Sequence, residues 1–160
     1  MDAAAFVAGF GDVAERAPWV AEEAAGRRPF ATREAMVDAF AAAIADADPE
    51  RQKALLLAHP DLTGKAAIAG DIGAESAKEQ AAAGLDTLTP EEFARFTEMN
   101  AAYRARHGIP FIYAVSGATK ADILAAFQAR LDSSPEAEFG HAIAEVERIV
   151  QRRIEHRVRP

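Results

Sequence analysis

The sequence predicts an all-α fold, a single-domain bundle of about seven or eight helices across residues 1–160. Three observations predict it. Alanine is abundant and β-branched residues are sparse, and alanine gives up no side-chain entropy on entering a helix. Helix-start signals recur along the chain. Apolar residues recur three and four apart, the spacing that puts them on one side of a helix.

Taken in order, Thr32 opens a helix that carries Met36, Phe40 and Ile44. Asp48, Pro49 and Glu50 read as N-cap, first helical residue and dipole-matching acid. That helix carries Leu55 and Leu56 and must end near His59, because Pro60 restricts the residue before it. Thr89-Pro90-Glu91-Glu92 is a capping box with proline at the first helical position. Its helix carries Phe93, Phe96, Met99, Asn100 and Tyr103, stops near Gly108 and is followed by Pro110. Ser134-Pro135-Glu136 starts the last helix, with Ile143, Val146, Ile149, Val150 and Ile154 along one side. Residues 11–30, 59–73 and 108–117 read as loops. Within the last of these, Phe111, Ile112, Tyr113, Ala114 and Val115 have strand-like composition. The run is too short and isolated to make a sheet, so it reads as a buried extended or loosely helical segment. Trp19, Phe30, Phe93 and Phe96 read as core.

Bulk composition excludes several functions. The chain has 160 residues, half of them apolar, and no cysteine. There is thus no thiolate nucleophile, disulfide framework or sulfur-based zinc site. A net charge of −7 does not suit a nucleic-acid binder. The arginine-rich end from Arg148 to Arg159 is read mainly as cations completing a helix dipole. No apolar run reaches the ~18–20 residues of a membrane span. The opening has an acid where a secretory signal has bases, and Val158-Arg159-Pro160 is no peroxisomal address. The expected compartment is the cytoplasm.

His59 stands out among four histidines. It lies where a helix breaks into a loop, beside Pro60 and Asp61. The plain alternative is a capping histidine that bonds the last free carbonyls. His107, His141 and His156 fall near helix ends or among charges and read as solvated or dipole-matched. Ser76, Glu79 and Gln80 are three and four apart and share one helix face. A hydroxyl, a carboxylate and an amide suit a planar, nitrogen-rich ligand such as a ureide or purine derivative. The same three could equally form a solvated polar face. No His-Glu-x-x-His pattern, close histidine pair, P-loop or nucleophile elbow is present.

Four runs carry a resemblance. They are His59-Pro60-Asp61-Leu62-Thr63-Gly64-Lys65, Glu75-Ser76-x-x-Glu79-Gln80, Ala83-Gly84-Leu85-Asp86-x-Leu88-Thr89, and Asn100-x-x-Tyr103-x-x-Arg106-x-Gly108-x-Pro110-Phe111. With Phe10-Gly11-Asp12-Val13, Ala17-Pro18-Trp19-Val20 and Arg28-Pro29-Phe30 before them and Glu145-Val146-x-x-Ile149 to Arg153 after, the chain resembles the 2-oxo-4-hydroxy-4-carboxy-5-ureidoimidazoline (OHCU) decarboxylases over nearly its whole length. Ala17 and His107 depart from that pattern, away from the expected chemistry.

The resemblance implies an all-α homodimer that needs neither metal nor organic cofactor. It implies loss of carbon dioxide from a small ureide to give S-allantoin during uric acid breakdown, in functional coupling with uricase and hydroxyisourate hydrolase. The family's catalytic histidine falls on His59, and Glu79 would orient that ring. Substrate contacts fall on Pro60, Ser76, Gln80, on Phe111, Ile112, Tyr113, Ala114 and Val115 partly through backbone groups, and on Arg153. The competing readings are a related enzyme with a shifted substrate and a helical carrier that lost the chemistry.

Overall fold

Side chains that satisfy otherwise orphaned backbone N–H groups set most helix starts in this chain, from Asp2, Thr32, Asp48, Thr89, Thr119 and Ser134. The computed structural model describes residues 1–64 and 68–159, so Lys65 of the first motif and Pro160 lie outside the described residues. Among the described residues all regular structure is helical, with eight helices and no strand. They are α1 (Ala3–Phe10), α2 (Trp19–Ala25), α3 (Arg33–Ala45), α4 (Pro49–Ala58), α5 (Ala74–Ala82), α6 (Pro90–His107), α7 (Lys120–Leu131) and α8 (Pro135–Arg157). No described helix is long and apolar enough to cross a membrane.

The caps read from the sequence form as expected. Thr32 accepts from the Ala35 N–H at 3.1 Å, and Asp48 from that of Arg51 at 2.9 Å. At α6 the capping box is complete: Glu92 N–H donates to Thr89 Oγ1 at 3.2 Å, and Thr89 N–H to Glu92 Oε2 at 2.9 Å. That backbone bond, followed by Lys120 at 3.0 Å, holds the Glu92 carboxyl below its usual range. Gly108 ends α6 at φ +69°, a left-handed cap that glycine adopts freely. The stretch 11–30 differs from its loop reading. It contains α2, which begins at Trp19 directly after Pro18 and buries Val20, Ala21, Ala24 and Ala25. Proline at the start and alanine within were helix signals, outweighed in the sequence by the flanking glycines.

The chain forms two compact units. The first comprises residues 1–58 and 143–160. Its core includes Phe6, Val20, Phe40, Ile44, Leu55, Val146 and Ile154. Phe6 meets Phe10, Phe30 and Phe40 with ring centroids 5.1–6.0 Å apart. Trp19 is half-buried, and the Arg51 guanidinium covers its ring at 4.0 Å. The second unit comprises residues 59–142. It packs Phe96, Tyr103, Phe111, Ile123 and Phe127 together. Phe111 and Phe127 stack at 3.6 Å, and Tyr103 meets Phe111 edge-on at 5.3 Å. Phe93, expected in the core, is 39% exposed.

Candidate active site

Proline sets where the first site residue stands. Helix α4 ends at Ala58, and His59 is the next residue, opening the second unit before Pro60. The His59 ring is buried at 7% exposure, and its Nε2 is sealed from solvent. His59 and Pro60 line a cavity of about 570 Å³. Its other walls are the 61–64 turn and one face of α6, carrying Phe93, Thr97, Asn100 and Arg104. Those α6 positions are spaced four, three and four apart and therefore stand in one stripe.

Helix α5 supplies the polar face anticipated from Ser76, Glu79 and Gln80. Ser76 and Gln80 are buried, and Glu79 is half-buried. Gln80 lines a second cavity of about 610 Å³, whose other walls are mostly apolar. Thr63 and Phe93 line both cavities. Gln80 Oε1 also accepts from the Thr63 N–H at 3.2 Å, so the helix face and the His59 loop are tied by a hydrogen bond.

The 111–115 run has no regular secondary structure and is buried except at Tyr113. A buried ionic network holds it. Glu138, with no exposure, accepts from Tyr103 Oη at 2.6 Å and from Arg130 Nε. Arg130 donates to the Ile112 carbonyl at 2.5 Å and lies 4.6 Å from the centre of the Phe111 ring. His141 Nδ1 stands 3.3 Å from the second Glu138 oxygen. Burial, then the Glu138 carboxylate, pushes the Tyr103 phenol far above the usual tyrosine range, so it stays a donor at any working pH. The run lines neither cavity described above.

Arg153 belongs to the first unit, where its buried guanidinium donates to the Val13 carbonyl at 3.2 Å. His107, read as solvated or dipole-matched, is half-buried with its ring 4.5 Å from that of Tyr103, and neither ring nitrogen has a hydrogen-bond partner among the described residues. Sequence reasoning did not assign roles to Thr63, Asn100 or Arg104. The usable signal was Asn100, an amide spaced four from Phe96 and three from Tyr103 on an otherwise apolar stripe.

A family model described as OHCU decarboxylase matches residues 1–155. A curated OHCU decarboxylase from Haloferax volcanii is 38% identical over 157 residues, covering 98% of this chain and 91% of the relative. The uric acid degradation bifunctional protein PucL of Bacillus subtilis is 37% identical, over 96% of this chain and 30% of that protein. A crystal structure of (S)-allantoin synthase superposes with a TM-score of 0.78 at 29% identity, covering 99% of this chain and 51% of that one. An all-α fold with relatives of this kind defines a carboxy-lyase. The chain belongs to the OHCU decarboxylase family.

Proposed function

We propose that the protein converts OHCU to S-allantoin in uric acid degradation without a cofactor, with His59 as acid–base group and Glu79 as its orienting carboxylate. The observation that carries the reading is a buried histidine at a helix break, opening on a cavity, in a chain that matches the OHCU decarboxylase model almost end to end. The (S)-allantoin synthase likeness supports the stereochemistry, and the bifunctional Bacillus subtilis relative supports coupling to neighbouring steps such as those of uricase and hydroxyisourate hydrolase.

The substrate's own structure explains how a protein can do this unaided. The bond from the hydroxyl-bearing ring carbon to the carboxylate breaks, and carbon dioxide leaves. The electron pair forms a double bond to the ureido-bearing carbon, and the nitrogen of the former ring C=N takes up the charge and a proton, becoming a ring N–H. That nitrogen replaces an external electron sink. The ureido-bearing carbon then gains a proton on one face, while the hydroxyl loses its own to become the ring carbonyl. An imidazole works in both directions near neutral pH, and His59 manages these protons.

Pro60, Ser76 and Gln80, with backbone groups of Phe111, Ile112, Tyr113, Ala114 and Val115, read the donors and acceptors of the ring. Arg153 offers a planar fork for a carboxylate or carbonyl oxygen. Holding the leaving carboxylate too tightly would slow its departure, since only differential binding of the transition state accelerates the step. Residues 1–160 act as one decarboxylase domain, working as a homodimer in the cytoplasm.

Circular dichroism of the product stream tests this reading. Uric acid is fed through uricase and hydroxyisourate hydrolase with and without the protein. A rapid S-allantoin signal is expected. Racemic allantoin at the unaided rate from folded protein would transfer the case to a shifted-substrate enzyme or a carrier.

A further inference from the structure

The loop that begins at His59 is built around a single peptide group. Residues 61–64 form a turn, closed by the Gly64 N–H donating to the Asp61 carbonyl at 3.2 Å. Thr63 sits at φ +56°, a left-handed conformation that a β-branched residue adopts only under constraint. The peptide joining Leu62 to Thr63 is gripped at both polar atoms. Asn100 Nδ2 donates to the Leu62 carbonyl at 2.8 Å, and the Thr63 N–H donates to Gln80 Oε1 at 3.2 Å. Both gripping side chains are buried. One helical turn beyond Asn100, Arg104 pairs with Asp61 at 2.8 Å. Asn100 and Arg104 both lie on the α6 stripe that walls the His59 cavity.

We infer that Asn100 is a positioning residue for His59: its amide locks the Leu62–Thr63 peptide in a strained turn, and the turn, joined to His59 through Pro60, fixes the ring at the cavity. The inference rests on the reading of His59 as the acid–base group. Chemistry at the clamp explains the residue type. The Leu62 carbonyl needs a donor, which an ionised aspartate of the same shape lacks. Asn100 Oδ1 is buried with no hydrogen-bond partner among the described residues, so an aspartate would also place a buried charge there. Pro60 carries the constraint back to His59 because its φ is fixed. Gln80 is also proposed to meet substrate, so Asn100 is the clamp residue whose removal separates positioning from binding.

The test compares the full-length wild type with Asn100→Asp, Asn100→Ala and the double variant Asn100→Ala/Thr63→Gly. The readouts are kcat and KM per folded enzyme and the histidine ring signals in NMR spectra. The His59 signal is assigned by its loss in His59→Ala. The single variants are expected to lower kcat about 10- to 100-fold while KM moves far less, because a misplaced group costs rate before it costs affinity. The His59 ring signal should shift while that of His156 stays. Adding Thr63→Gly should recover part of kcat, since glycine takes positive φ without strain. Arg104→Ala, at a partly exposed side chain, loosens the same loop at Asp61 and should shift the His59 signal even if the Asn100 variants fail to fold. Wild-type kcat with an unmoved His59 signal in the Asn100 variants would overturn the inference. A drop in folded fraction alone, with kcat per folded enzyme and the His59 signal intact, would also overturn it. Absence of turnover in the wild type would remove the proposed function, and the NMR shift would still decide whether Asn100 places the ring.

Discussion

Replacing Glu138 with alanine should be the most damaging single change to stability in the second unit. The carboxylate has no solvent exposure, and the Arg130 side chain paired with it is only 12% exposed. Removing it leaves a guanidinium in the interior without its counter-charge and the Tyr103 hydroxyl without its acceptor. Breaking a buried pair from one side costs ~3–5 kcal/mol. The Ile112 carbonyl and the Phe111 ring still hold Arg130, which favours the lower half of that range. For a chain of this size that lower half corresponds to a fall in Tm of about 6–16 °C. Glu138→Gln keeps an acceptor for Tyr103 and Arg130 and should fall between wild type and alanine. The paired change Arg130→Met/Glu138→Leu should recover much of the loss, because neither charge is then stranded. Urea and thermal melts of the four proteins measure this. A Glu138→Ala midpoint within about 0.5 kcal/mol of wild type would refute the reasoning, since that is the range of ordinary surface changes.

Two further outcomes follow from local geometry. A methyl group at Gly64 would stand 2.9 Å from Asp61 Cβ and 3.2 Å from its carbonyl oxygen. Gly64→Ala should therefore cost ~1–3 kcal/mol and lower kcat, and an unchanged melt with wild-type turnover would contradict the 61–64 turn. Arg157 makes two hydrogen bonds to the Asp12 carboxylate, at 2.6 and 3.0 Å, and holds that carboxyl below its ordinary 3.8. The folded state thus binds fewer protons there than the unfolded chain, so the pair's stabilisation is present above that value and is lost as pH falls through the lowered one. The Asp12 carboxylate is largely exposed, so the amount is only ~0.2–1 kcal/mol. Asp12→Asn should flatten this part of the acid limb in urea melts, and parallel pH curves for the two proteins would count against it.

How much was readable from the sequence depended on how local the physics was. The starts of α3, α4 and α6 and the stop at Gly108 were legible because cap chemistry involves residues within a few positions. The Ser76, Glu79 and Gln80 face was legible for the same reason, since helix geometry alone aligns it. Helix α2 was obscured because Gly11, Pro18 and Gly26 punctuate its surroundings. The 111–115 run was read as a buried segment, extended or loosely helical, but its anchoring was not. Arg130 and Glu138 sit 18 and 26 positions beyond Ile112, and no periodicity links them. Phe93 looked like core by spacing, and only the fold reveals that its side of α6 faces cavities. The role of Asn100 was hidden in the same way, because Leu62 lies 38 residues away along the chain.

The central claim is that His59 carries the protons of the reaction. The measurement that tests it most directly is the rate and handedness of allantoin formation by His59→Ala beside wild type, followed by circular dichroism with uricase and hydroxyisourate hydrolase supplying the substrate. A loss on the order of 10²–10⁴ in kcat is expected from a variant that still melts cooperatively, leaving the racemic background to dominate. A folded His59→Ala protein that still makes S-allantoin at the wild-type rate would contradict it.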